Sequence, residues 1–132
     1  MIDELNKYFS DIYFELHPLH EEAISHQSVR ILQMVHKKQF VMIRDIAEHL
    51  SISHNTASEH VKKLVNSGWI KKERYEEDQR KVYLHLTELG LKIVKKNTEL
   101  DEEKLQAALD KLSEEEKLQV VQAFQLLSEV SK

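Results

Sequence analysis

Between positions 53 and 63 the chain reads SHNTASEHVKK, which crowds small polar and basic side chains into one short stretch. On a helical wheel Ala57, Val61, Leu64 and Val65 share one side, and Asn55, Glu59, Lys62, Lys63 and Asn66 lie opposite. Thr56 and Ser58 flank the polar side. Such a helix has an apolar face to dock on its own domain and a polar face that fits a major groove about 12 Å wide. Asn55 has the amide geometry to bond adenine bidentately, and Thr56 and Ser58 suit bases or phosphates. Lys62 and Lys63 suit phosphates. Glu59 either accepts from cytosine N4 or repels phosphate and tunes affinity down. Ser53 and His54 stand at the helix start, where free N–H groups attract phosphate. Further on, Arg80 and Lys81 follow Asp78 in a charged hexapeptide, EEDQRK. An arginine on a projecting loop can enter a narrow minor groove. Asp78 cannot face phosphate favourably, so its expected role is structural, pairing with Arg80 or a neighbouring base to hold the loop's shape.

Other chemistry finds little support. There is no Cys, which removes disulfides, thiolate zinc sites and cysteine redox switches together. There is no Gly-rich phosphate loop, no nucleophile set beside a base and no convincing carboxylate pair, so the chain does not read as an enzyme and no cofactor is expected. The eight histidines include His17-x-x-His20-Glu21-Glu22, a cluster of ligand-type residues. Pro18 interrupts any helix between those two histidines, and no metal site is expected there. His54 and His60 lie on or beside the polar helix, so mild acid should strengthen phosphate contact.

The 132 residues carry a formal net charge of −4, mildly adverse for a polyanion partner. The average hides a pattern: residues 1–25 sum to −5, residues 26–98 to +6 and residues 99–132 to −5. Basic character is confined to the middle, where the polar helix and the charged loop lie. No run of apolar residues is long enough to span a membrane, and the acidic N-terminus is unlike a signal peptide. A cytoplasmic location is expected.

The elements that position these residues follow from periodicity. Leu5, Tyr8, Phe9, Ile12, Tyr13 and Leu16 form a helical stripe that Pro18 ends or kinks. Ser25 caps a helix over about 26–38, with Val29, Leu32 and Val35 or His36 inward, and Phe40-Val41-Met42 is an apolar connector. Residues 43–50 form a short helix, and Ser51-Ile52-Ser53 turns into the polar helix, 54–67, which Gly68 ends. Trp69–Tyr75 and Val82–Leu86 read as strands around the hexapeptide. Thr87 caps a helix over about 88–111, and Ser113 with Glu116 makes a capping box for a last helix, 114–131.

Helix, tight turn, helix and hairpin spell a winged helix-turn-helix, and residues 43–90 resemble the DNA-binding core of the MarR family of bacterial regulators. The resemblance rests on the helix-turn-helix ending in KKLVNSGWI, on Asp78-Gln79-Arg80 in the wing and on Leu86-Thr87-Glu88-Leu89-Gly90 at its exit. It implies a homodimer joined through N- and C-terminal helices. It also implies repression from a pseudo-palindromic double-stranded DNA operator and release by a small-molecule effector. The family's DNA contacts fall here on 53–63 and Arg80. Met42 stands where a capping residue is usual, Glu59 where the family is often basic or neutral, and the reactive cysteine of peroxide-sensing members is missing.

The expected fold is therefore mainly α with a small antiparallel β-hairpin. Residues 1–25 are read as an N-terminal dimerisation helix, 26–90 as the winged DNA-binding lobe and 91–132 as C-terminal dimerisation helices. Tyr8, Phe9, Tyr13, Phe14 and Phe40 form an aromatic cluster, read first as dimer-core packing and second as a pocket for a small aromatic effector. The competing readings are a winged protein–protein module without DNA binding, favoured by Glu59 and the run Glu76-Glu77-Asp78, and a metal-responsive repressor.

Overall fold

The computed structural model describes residues 1–19, 22–75 and 77–132, with the backbone but not the side chain of residue 79. The elements run α1 (Ile2–Leu16), α2 (His26–Lys37), α3 (Ile43–Leu50), α4 (His54–Asn66), β1 (Ile70–Tyr75), β2 (Asp78–Leu86), α5 (Glu88–Thr98), α6 (Glu102–Leu109) and α7 (Glu114–Val130). They form two compact units: Pro18–Glu99, and Met1–His17 with Leu100–Lys132. These limits differ from the expected ones at 25 and 90, because Ile93 and Val94 of α5 are buried in the first unit's core and Ile24 packs against it. Among the described residues no helix is long and apolar enough to cross a membrane.

The Pro18–Glu99 unit is a winged helix-turn-helix. Ser25 starts α2 by accepting from the Ser28 N–H at 3.1 Å. Ile31, Leu32 and Val35 of α2, Ile46 of α3, Ala57, Val61 and Leu64 of α4, and Ile70 and Leu84 of the hairpin share the core with α5. Ile31 takes the fully buried place expected of Val29, which is only half-buried. The turn between α3 and α4 closes on Ser51, whose backbone is left-handed (φ 54, ψ 47). The Ser51 and Ile52 N–H groups return to the Glu48 and Ala47 carbonyls. Gly68 ends α4 in the same way at φ 79, with Trp69 N–H donating to Leu64 O at 3.0 Å.

The hairpin is antiparallel, pairing Ile70 with Leu86 and Arg74 with Val82. Tyr75 then pairs with Asp78, so residues 79–81 form a bulge on β2 with no partner on β1. The second strand thus begins at Asp78, four residues before the expected Val82, and the first at Ile70 rather than Trp69. The charged hexapeptide was expected to connect the two strands. Here it lies on an exposed hairpin, where charge costs nothing. Leu84 N–H donates to Val41 O at 2.8 Å and tacks the α2–α3 connector to the hairpin.

The helix expected over 88–111 is two helices. Glu99 is extended (φ −111, ψ 163), and Asp101 caps α6 by accepting from the Lys104 N–H at 3.0 Å. An Asp side chain competes for backbone N–H groups and is better satisfied at a helix start than inside one.

In the other unit, α1 ends at Leu16, and His17 is extended (φ −71, ψ 149), as a residue before proline must be. Asp101 N–H donates to Leu16 O at 2.8 Å, and Lys104 Nζ donates to His17 O at 3.0 Å. Ser113 and Glu116 close a reciprocal box at the start of α7. Neither α1, α6 nor α7 has a buried residue. Apolar residues of α1 and α7 instead border a groove of about 380 Å³ that includes Leu5, Phe9, Ile12, Phe124 and Leu127.

Candidate nucleic-acid interface

The second helix of the helix-turn-helix buries Ala57, Val61 and Leu64 and leaves His54, Asn55, Thr56, Glu59, Lys62 and Lys63 exposed. Ser58 and His60 are half-buried at its edges. The apolar residues recur at three- and four-residue spacing, so anchoring one face turns the polar residues outward together. Ser53, also exposed, caps this helix: its Oγ accepts from the Thr56 N–H at 3.1 Å and donates to Thr56 Oγ1 at 2.8 Å. Those two hydroxyls are therefore partly committed to the helix start. The remaining N–H groups of the first turn are oriented by the same cap and carry the positive end of the helix dipole.

The preceding helix lacks a side-chain cap at Met42, as its residue type implies, but it is not left open. Asp45 Oδ2 accepts from the Met42 N–H at 2.8 Å, which is half of a capping box. The Asp45 carboxylate also sits in the first turn, where the dipole favours negative charge.

At the hairpin tip, Asp78 Oδ1 accepts from the Arg80 N–H at 3.0 Å and lies 3.4 Å from Arg80 Nε. The Arg80 side chain is 94% exposed and Asp78 only 34%. The carboxylate therefore stabilises the bulge from inside while the guanidinium projects into solvent. Lys81 is exposed beside it. The ion pair itself contributes little at that exposure. The backbone bond decides the conformation.

The base of the wing is tied to its exit. Thr87 Oγ1 donates to Gly68 O at 2.6 Å and accepts from the Gly90 N–H at 3.0 Å, while Thr87 N–H donates to Trp69 O at 3.1 Å. Trp69 is half-buried against the core. Lower on the hairpin, His85 Nε2 lies 3.1 Å from Glu73 Oε2, without the alignment of a hydrogen bond.

Phe40 belongs to the Pro18–Glu99 unit, and Tyr8, Phe9, Tyr13 and Phe14 to the other. It packs on Tyr75 and Tyr83, with ring centroids 6.5 and 5.6 Å away. Leu84–Val41 pairing carries the residue before Val41 to the hairpin. Of the ligand-type cluster, His20 and Glu21 lie outside the described residues, as does Glu76 of the acidic run. His17 Nδ1 is 2.9 Å from Tyr13 O, and Glu22 lies 4.0 Å from Lys96 Nζ. Among the described residues no three His, Asp or Glu side chains converge as metal ligands would.

Comparison with known proteins adds to this geometry. The model of the MarR family matches residues 24–82. The chain is 32% identical over 114 residues to the HTH-type transcriptional regulator BilQ of Clostridium symbiosum (strain WAL-14163), covering 86% of this chain and 77% of that protein. It is 31% identical over 105 residues to YfiV of Bacillus subtilis (strain 168), an uncharacterised HTH-type transcriptional regulator, covering 80% of this chain and 66% of YfiV. A mutant of S. aureus MepR, solved bound to an oligodeoxyribonucleotide, superposes with a TM-score of 0.56 at 26% identity over 81% of this chain and 80% of that one.

Proposed function

Because this chain belongs to the MarR family of DNA-binding transcription regulators, we propose that it acts as a homodimeric repressor of a pseudo-palindromic operator and is released by a small-molecule effector. The observation that carries the reading is the pairing of two presentations in one unit. A helix offers Asn55, Thr56, Glu59, Lys62 and Lys63 on a single exposed face, and a braced hairpin offers Arg80 and Lys81. Base edges are read by Asn55, Thr56 and Ser58, with Glu59 biasing the choice. Phosphates are held by Ser53, His54, Lys62 and Lys63, and Arg80 with Lys81 grips the flanking minor groove. In a two-fold dimer, the two α4 helices would enter successive major grooves about 34–36 Å apart.

The dimer is supported by α1 and α7. Phe9, Phe14, Leu118, Phe124 and Leu127 are all exposed in the single chain, an apolar surface that a second copy would remove from water. Repression is the family's usual output, and a regulator bound across its own promoter blocks transcription by occupancy. The oligodeoxyribonucleotide bound by the MepR mutant lends support by similarity.

The test is a mobility-shift titration against DNA from upstream of the chain's own gene, repeated over a salt series. The reading requires saturable binding of two chains per site and a linear fall of log affinity with log salt. A chain that leaves that DNA unshifted at low salt, while remaining folded, would instead be a winged interaction module.

A further inference from the structure

The two faces of the hairpin differ in charge. Side chains alternate along a strand, and residues directly opposite in an antiparallel pair share a face. Ile70, Lys72 and Arg74 of β1 therefore share one face with Leu86, Leu84 and Val82 of β2. Lys71 and Glu73 share the other with His85 and Tyr83. The first face turns toward the body of its unit, because Ile70 and Leu84 are buried in the core. Over these paired residues it carries two cations and no carboxylate. The outer face carries Glu73, which lies beside His85.

Lys72 marks the place where the inner face leaves the core. Leu84, directly opposite, is only 3% exposed, whereas Lys72 is open to solvent. The difference follows from what lies beside each strand. β2 packs along α2 and bonds Val41, and β1 runs beside α4. An exposed residue on the body-side face of β1 therefore stands in the cleft between the wing and the recognition helix. Among the described residues Lys72 has no hydrogen bond or ion pair. Lysine on an edge strand also discourages pairing with other chains. Lys71 on the outer face serves that purpose equally, so edge protection does not require a cation in the cleft.

With α4 in a major groove and the wing in the adjoining minor groove, one sugar–phosphate strand separates the two grooves and passes between the two elements. Its charge favours a cation there, and lysine is a point-charge phosphate ligand that leaves the base sequence unread. We propose that Lys72 holds this phosphate and so fixes the spacing of recognition helix and wing on the duplex. The assignment rests on the operator-binding reading and adds to it a contact made by the strand rather than by the wing tip.

The test is a salt series of binding measurements and ethylation interference, using the full chain and DNA from upstream of its own gene. Lys72→Ala should lower affinity about five- to tenfold and reduce the salt slope by about one per chain. The loss should be the same on an unrelated duplex, because a phosphate carries no sequence. Lys71→Ala removes the same charge from the outer face and should change affinity by less than about twofold. Lys72→Arg should restore binding. In Lys72→Ala, one ethylated phosphate per half-site, between the two grooves, should cease to interfere. Lys72 is exposed, so its variants retain the fold, which circular dichroism checks. Equal effects of Lys72→Ala and Lys71→Ala, or an interference pattern identical to that of the unaltered chain, would overturn the assignment and leave operator binding intact. An unaltered chain that shifts no DNA would overturn both readings.

Discussion

The Gly90 Cα lies against the carbonyl of Trp69: a Cβ at Gly90 would collide with that oxygen and sit 2.9 Å from its carbon. The contact joins the first turn of α5 to the start of the wing, beside the Thr87 bonds to Gly68 and Trp69. Gly90→Ala should therefore destabilise the Pro18–Glu99 unit by about 1–3 kcal/mol through overpacking. The opposing gain in helix propensity is at most about 1 kcal/mol. Urea unfolding of the two proteins measures the difference, and equal midpoints would show that backbone there shifts freely.

Asp78 should matter to DNA through Arg80 rather than by contact. Removing its carboxylate in Asp78→Ala frees the Arg80 N–H and loosens the bulge. Affinity for operator DNA should fall about three- to tenfold, the worth of one hydrogen bond, with the salt slope nearly unchanged. Asp78→Asn keeps an acceptor oxygen and should recover most of the loss.

Arg80→Ala should lower affinity and reduce the salt slope by about one, because one phosphate-region cation no longer displaces a counterion. Asn55→Ala should leave that slope intact and relax base preference at one symmetric position by about 1–3 kcal/mol. Selection from a randomised operator separates the two effects. An altered slope with intact selectivity for Asn55→Ala would reassign that residue to the backbone.

Placing a charge on the exposed apolar face of α7 should break the dimer. Phe124 is 53% exposed in the single chain, beside Leu127 on the same groove. Phe124→Asp should give a particle of half the mass in sedimentation equilibrium. Because the buried core lies in the other unit, the variant should retain the winged fold.

Acid should fray the start of α7 first. The Ser113 N–H bond, and then the Ser113 hydroxyl, hold the Glu116 carboxyl below the usual carboxylate range. A depressed folded value means that this carboxylate stabilises above its unfolded value and loses that contribution as pH falls through the folded one. Protection of the amides at residues 114–117, taken relative to unstructured chain at the same pH, should therefore fall as pH drops below the usual carboxylate range, and Glu116→Gln should abolish the pH dependence there.

What the sequence alone determined was whatever depends on neighbours along the chain. Helix faces follow from residues three and four apart, so the polar side of α4 and the buried Ala57, Val61 and Leu64 were legible. So were the Ser25, Ser53, Thr87 and Ser113 caps and the turn at Gly68, which need only a few residues. The start of α6 was also written locally, in Asp101, although no glycine or proline marks the break between α5 and α6. Tertiary structure decided the rest, because it brings together groups that no local spacing relates. Phe40 meets Tyr75 and Tyr83 only because Val41 bonds the hairpin. Gly90 needs its missing side chain only because Trp69, on another element, lies where that side chain would be. The bulge that separates Arg80 from the strand partner appears only when β1 and β2 pair, since a register shift is a property of two strands and not of one.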